Sequence, residues 1–498
     1  YHSLAQLQAM LDPQAASDMA QSQVNYYAED HVLQQWGYDY LNNFVMVGDP
    51  ADAVIADYYA FGARAFDTHQ ALADMLAQAD SVSFARPGAA LEQAYGFLPE
   101  DGVYRCCRAH GFPAALLEYD TADFALAQFA AALGDNTDAR SLTVRANNWE
   151  NLFDPLTDLP TARLADGQFE PGVTPTFDGK LGADYEPYVE GDPYEYLWDV
   201  PNDYAGLFSL LGGDAKVVPM LERYLSRPNG YGMYAQLSNE FDLGEQFALD
   251  YAGDPAGTQA AVADTRENLY RPGPDGLPNN DDLGAISSTF IWEMLGMYPE
   301  NPGAGTIVLT SPGFPRESIR LGNGHVIHIY APGASASEYY VRSLSLDGRL
   351  HPSPWVRFSR LQDGATLSWT LGTRPTSWGS APQHAPPSFS AGLRPFVGFF
   401  SREHVTLAPG GSVTVTLGAQ NATTRRERLH ATVTLAAGGG VSASPTSTTL
   451  TLAPSGRAGV RVTLRAATGA QSRFEWVDAE LREPGAPPTS VQLALQVS

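Results

Sequence analysis

Cysteine, lysine and histidine are all scarce in this 498-residue chain, and each scarcity removes a class of chemistry. The only cysteines, Cys106 and Cys107, are adjacent. They are too few for a metal cage, and can either close a strained eight-membered ring in an oxidising compartment or stay reduced on a loop. Only Lys180 and Lys216 are lysines, a bias in keeping with genome composition. Acidic residues outnumber basic ones 56 to 30, and the net charge of −26 argues against nucleic acid or anionic membranes as partners. No histidine stands between His110 and His325. A Ser-His-Asp, Cys-His or His-Glu-x-x-His site would therefore have to recruit imidazoles from distant segments. Gly-x-x-x-x-Gly-Lys and post-strand Gly-x-Gly-x-x-Gly loops are missing as well. No apolar run reaches the roughly 18–20 residues that cross a bilayer, so no membrane span is expected. What remains is chemistry done by carboxylates, with or without a hard metal ion.

The chain is long enough for about two to four domains. Residues 1–304 read as mainly helical with long irregular connections, a pattern that suits a helical toroid whose loops at one rim build a cleft. Residues 114–133 are the best helix, with Leu116, Leu117, Phe124, Leu126 and Phe129 apolar and Gly134 placed to end it. Residues 57–66, 205–211 and 244–251 are shorter candidates. Near residue 305 the apolar period changes from 3.6 to 2, as in Val326-Ile327-His328-Ile329-Tyr330. A β-rich subdomain is expected over 305–398, with strands at 306–309, 318–321, 326–330, 339–346 and 366–371. Residues 380–388, rich in Pro and Ala, read as a linker. Short strands at 412–417, 429–435, 447–452, 458–464 and 491–497 predict an immunoglobulin-like β-sandwich over 399–498. Within it, Asn421-Ala422-Thr423 matches a glycosylation acceptor.

The densest chemical signal is Asn279-Asn280-Asp281-Asp282-Leu283-Gly284, followed by a helical apolar pattern at Ile286, Phe290, Ile291, Met294 and Leu295. Two carboxylates at the start of a helix can be plain caps, since Asp there accepts first-turn N–H bonds and favours the positive end of the dipole. They can also be catalytic.

Ordered segments then decide between the two. Met46-Val47-Gly48-Asp49-Pro50-Ala51-Asp52, Ile55-Ala56-Asp57, Asn148-Trp149-Glu150-Asn151-Leu152-Phe153-Asp154-Pro155, Tyr188-Val189-Glu190-Gly191, Asn239-Glu240, Tyr251-Ala252-Gly253, the Asn-Asn-Asp-Asp-Leu-Gly motif and Leu321-Gly322-Asn323-Gly324 follow one another along the chain. Through them it resembles glycoside hydrolase family 92, the calcium-dependent inverting exo-α-mannosidases, from Tyr1 to about Phe389. The resemblance implies a helical (α/α)6 toroid that acts on terminal α-mannosidic bonds of mannose-rich glycans. It also implies an upstream β-sandwich lending residues to the cleft. Because the pattern turns helical at Leu4 with no leader, that sandwich is expected as a separate associated chain. Its signal would make the protein secreted or extracellular.

Inversion needs a protonated carboxyl beside the leaving oxygen and an ionised carboxylate activating water on the other face, roughly 6.5–9.5 Å apart. Glu190 matches the family's general acid, in a loop flanked by Tyr188, Tyr194, Tyr196 and Trp198 that can raise its pKa by desolvation. Asp282 matches the general base, which the helix start is expected to keep ionised, while Asp281 serves as a cap. Asn239, Glu240, Asn280, Trp198 and Asp49 are the expected sugar contacts. Asn239, Glu240 and Asp242 are the expected Ca²⁺ ligands, oxygen donors as a hard cation requires. The pattern departs from the family at Phe241 (usually Pro), at Tyr194-Glu195-Tyr196 and at Pro255-Ala256-Gly257-Thr258-Gln259, which points to an altered leaving-group side. A different mannosyl linkage, including a mannosyl phosphodiester, and a noncatalytic glycan-binding role are the alternatives.

Overall fold

The computed structural model describes residues 1–38, 41–42, 46–104, 110–170, 187–230, 232–392, 394–435, 440–484 and 488–498. Cys106 and Cys107 lie outside the described residues, and their pairing with them. The helix at the centre is Phe112–Ala132. Its sequence is apolar on every side, so it is satisfied only by burial all round. Between residues 112 and 130 only Glu118 and Gln128 are not fully buried. Pro113 occupies the first turn, where a missing N–H costs nothing, and Gly134 at φ +91° turns the chain away, as expected from the sequence.

Helices Pro50–Ala60 and Asn136–Arg145 pack on this one. The first of them starts before the expected 57–66 span, because Asp49-Pro50 sets a proline at its first position; Gly62 at φ +115° follows its end. Tyr204–Leu211 is capped by Asp203, whose Oδ1 accepts the Gly206 N–H at 3.1 Å, and is ended by Gly212 at φ +109°. Residues 244–251 form a 3-10 turn, Glu245–Phe247, and one helical turn, Ala248–Tyr251, rather than a single helix. Gly244 and Gly253, both at positive φ, confine that segment before Asp254-Pro255 starts Pro255–Asn268.

The next segment carries two sheets. One has the strand order Arg349–Leu350, Tyr340–Leu346, Ala365–Gly372, Val326–Tyr330, Arg316–Arg320, antiparallel except where Ala365–Gly372 runs parallel to Val326–Tyr330. The other orders Trp355–Arg357, Thr306–Leu309 and Met297–Tyr298. Ile307, Ile327, Leu367 and Trp369 belong to the same apolar cluster as Leu116, Phe208 and Trp292, so this β region and the helices share one core.

Residues 396–498 form two further sheets around a core of their own. The four-stranded sheet orders Phe396–Phe400, Ser412–Asn421, Arg457–Ala466 and Val441–Ser444; the five-stranded sheet orders His404–Leu407, Thr489–Val497, Arg473–Arg482, Glu427–Leu435 and Ser447–Leu452. The segment read as a linker is pinned to the helices. Ser388 and Ser390 donate to Asp203 Oδ1, the Asn147 amide donates to the Phe389 and Ala391 carbonyls, and Phe389 packs on Phe124 at 4.8 Å. Asp158 then joins the two units by accepting from Lys216 and Arg457, each at 2.8 Å. Asn421 is fully buried. Its amide donates to the Arg425 and Ala453 carbonyls at 2.6 and 2.8 Å, so in the folded chain the acceptor motif serves as a turn anchor.

Candidate active site

Glu190 has φ +57° and Asp282 φ +47°, with Leu283 beside it at φ +55°. Left-handed residues other than glycine cost on the order of 1–3 kcal/mol each and persist only where their surroundings enforce them. Around Glu190 the enforcement is visible. The Tyr188 hydroxyl donates to the Pro160 carbonyl and the Tyr196 hydroxyl to that of Val189, both at 2.6 Å. Asp192 and Glu195 close a capping box at the start of the short helix Pro193–Tyr196. A side chain at Gly191 would meet the Phe241 ring at 2.5 Å. The Asn239 amide donates to the Glu190 carbonyl at 3.2 Å. Val189 and Asp192 are thus locked inward, and Glu190 is turned outward and exposed.

The two carboxyls share one electrostatic environment. Desolvation raises the Glu190 pKa, with Asn239 opposing and the Glu240 charge adding. Asp282 is pushed up to about 6 by burial, then by Glu240, Glu190 and Asp281. The helix start therefore does not lower its pKa, and Asp282 is ionised only above about pH 6. Asp281 is the residue that caps, its Oδ1 accepting the Ser287 N–H at 2.9 Å, while helix Ala285–Leu295 takes Gly284 as its N-cap. Asp282 instead projects half-buried beside Glu240. Among the described residues, no lysine or arginine forms an ion pair with Glu190, Glu240 or Asp282.

The expected metal ligands divide. Asn239 and Glu240 face the cleft, with the Tyr1 backbone nitrogen 3.4 Å from Glu240 Oε1. Asp242 is fully buried; its Oδ2 accepts the Gln236 N–H at 2.6 Å, and burial raises its pKa well above the usual range. It does not fit an ion shared with the other two, and among the described residues no three His, Cys, Asp or Glu side chains form a metal-holding group.

Two expected sugar contacts also face inward. Trp198, 2 % exposed, packs against Phe208 and Tyr224 behind the cleft. Asp49, 1 % exposed, accepts from Arg86 Nε at 2.9 Å and from the Gln78 amide at 2.7 Å. Arg86 is a buried hub that also meets Asp123 at 2.9 Å and Asp52 at 3.5 Å. Asn280 is exposed on the loop leading to Asp282. Missed from the sequence were Tyr1, stacked on His2 at 4.0 Å, and Glu118, whose Oε2 accepts the Tyr1 hydroxyl at 2.7 Å. A lone carboxyl in the apolar run Ala-Ala-Leu-Leu-Glu-Tyr was the available signal.

Residues 1–373 match the glycosyl hydrolase family 92 catalytic domain. The chain therefore belongs to glycosyl hydrolase family 92, a family of glycosidases. An uncharacterised secreted glycosidase of Arthroderma benhamiae is 26% identical over 305 residues, covering 56% of this chain and 38% of that protein. A family 92 α-mannosidase of Bacteroides thetaiotaomicron superimposes with a TM-score of 0.72 at 23% identity, over 79% of this chain and 51% of the other. An inverting mannosidase of the same organism gives 0.71 at 24%, over 78% and 54%. These likenesses establish the helical and β-rich fold. The chain spans about half the length of these solved relatives, whose additional residues lie in the same polypeptide, so the expected separately associated segment finds no support there. No described helix is long and apolar enough to cross a membrane.

Proposed function

We propose that this chain carries the hydrolytic centre of an exo-acting, inverting α-mannosidase, a secreted enzyme that removes terminal mannose from mannose-rich glycans. Its helical part is read as the (α/α)6 toroid and its last unit as an immunoglobulin-like sandwich. The observation that carries the reading is the pair Glu190 and Asp282. Both are on left-handed residues, both have raised pKa values, and the Glu240 charge acts on both while that of Glu190 acts on Asp282.

Glu190, whose pKa desolvation raises, is the group that gives its proton to the leaving glycosidic oxygen as the C–O bond breaks. Asp282, ionised above about pH 6, takes a proton from the water whose oxygen attacks the anomeric carbon from the opposite face. The products are β-mannose and the shortened glycan, and proton exchange with solvent resets both carboxyls. Ca²⁺ is the proposed cofactor, with Asn239 and Glu240 as the residues that would hold it and Asp242 withdrawn from the set. When bound, such an ion polarises sugar hydroxyls and favours a flattened ring. Proton NMR during hydrolysis of an aryl α-mannoside tests the reading. The first-formed sugar should be the β-anomer; an α-anomer, or no hydrolysis, overturns it.

A further inference from the structure

Glu118 is the one carboxyl of the central helix that is not fully buried, and it lies beside Tyr1, which also reaches Glu240. Its helix neighbours Leu116, Leu117, Tyr119 and Asp120 are all buried, yet Glu118 itself remains partly accessible. The opening is built by its surroundings. Gly48, at φ +91°, lets the chain pass directly over the carboxyl. A Cβ there would lie 2.6 Å from Glu118 Cβ and 3.1 Å from Oε2. The Gln35 amide fixes that passage by donating to the carbonyls of Met46 and Gly48 at 2.8 and 2.9 Å. Among the described residues, only the Tyr1 hydroxyl donates to the Glu118 carboxylate, and it takes Oε2. The same Tyr1 places its backbone nitrogen against Glu240, whose charge acts on both Glu190 and Asp282.

We propose that Glu118 is a substrate-binding residue, its Oε1 accepting a hydrogen bond from a hydroxyl of the terminal hexose while Tyr1 holds Oε2 in place. A partly accessible carboxyl on an otherwise buried helix face, with Oε2 anchored by Tyr1 and no described donor on Oε1, has the geometry of a hydroxyl acceptor rather than of a fold staple. Burial also pushes its pKa up to about 8, with the Asp199 charge adding and the Tyr1 hydroxyl opposing. Glu118 thus takes the place that the sequence suggested for Asp49, which is spent on Arg86.

The inference rests on the mannosidase reading, and the test separates the two. Aryl α-mannoside and its 2-, 3-, 4- and 6-deoxy analogues are assayed with the wild type, Glu118→Ala and Glu118→Gln. Glu118→Ala should lower kcat/KM on the parent sugar by about 10- to 100-fold, the scale of a hydrogen bond to a charged or buried partner. On one deoxy analogue, the one lacking the partner hydroxyl, the same substitution should cost less than about 3-fold. Glu118→Gln, which keeps an acceptor oxygen, should recover part of the loss, and it carries the comparison if the alanine variant fails to fold. A uniform loss across all five substrates, or no loss, overturns the role of Glu118 and leaves the mannosidase reading standing. A wild type inactive on every sugar overturns both.

Discussion

Asp57 provides the sharpest quantitative test of how this interior handles charge. It is fully buried on helix Pro50–Ala60; its Oδ1 accepts the Gly303 N–H at 2.7 Å and its Oδ2 lies 2.6 Å from the Gln6 amide nitrogen. Burial pushes its pKa up to about 8, against the pull of the Gly303 and Gln6 hydrogen bonds. In the unfolded chain an aspartate titrates near about 3.9. Between these values the folded state holds a proton that the unfolded state lacks. The stability from this group is therefore complete at low pH and falls as pH rises, by about 1.4 kcal/mol per unit, until the folded pKa is passed. Asp57→Asn removes the titration and keeps the shape. Its carbonyl still accepts from Gly303, and its amide can donate to Gln6 Oε1, a buried atom with no partner in the present orientation. From about pH 5 to about pH 8 the variant should thus gain about 4 kcal/mol relative to the wild type. Urea denaturation of both proteins at intervals across that range measures the difference. A gap constant to within about 1 kcal/mol, close to the error of the extrapolation, would refute the reasoning.

Asp282→Asn should lower kcat by about 10²- to 10⁴-fold whatever the leaving group, and the acidic limb of the wild-type pH–rate profile should fall near the Asp282 pKa of about 6. Glu190→Gln should approach that loss on a mannobiose but cost less than about 10-fold on a dinitrophenyl mannoside; equal losses would remove Glu190 from the acid role. Chelation should abolish activity and Ca²⁺ should restore it better than Zn²⁺, whereas full activity in a preparation shown by elemental analysis to be metal-free would contradict the cofactor. Arg86→Met removes the cation paired with buried Asp49 and Asp52, while Asp123 keeps Arg145, and should cost about 3–5 kcal/mol in denaturation, well beyond the loss from a surface ion pair.

The strands were legible wherever outward positions were polar and inward ones apolar. Val326–Tyr330 and Ser447–Leu452 fall on the residues the alternation predicts. Arg473–Arg482 escaped notice because its first half inverts that code. Glu475 points inward, ion-paired with Arg473, while Phe474 and Trp476 are the more exposed residues. Family-like segments located Glu190, Asn239, Glu240 and Asp282 in the linear chain. They could not distinguish a residue facing the cleft from one facing the core behind it. Asp49 and Asp242 stand beside or within such segments, yet partners remote in sequence or contacts within the loop turn them inward. The left-handed backbone at Glu190 was equally invisible, because the Tyr188, Tyr196 and Phe241 contacts around it form only in the folded loop.

The sealed position of Asn421 reaches beyond the folded molecule to how it is produced. In a secretory route that attaches N-linked sugars, the transferase meets Asn421-Ala422-Thr423 while the chain is still extended, before the strands Ser412–Asn421 and Arg457–Ala466 have closed. A glycan fixed there would occupy the amide that must donate to Arg425 and Ala453, and would force a bulky polar group into space with no solvent access. Sugar attachment and sandwich closure are then competing fates of the same nascent segment. The yield of sound protein depends on which is faster, and a host that adds no such sugars removes the contest.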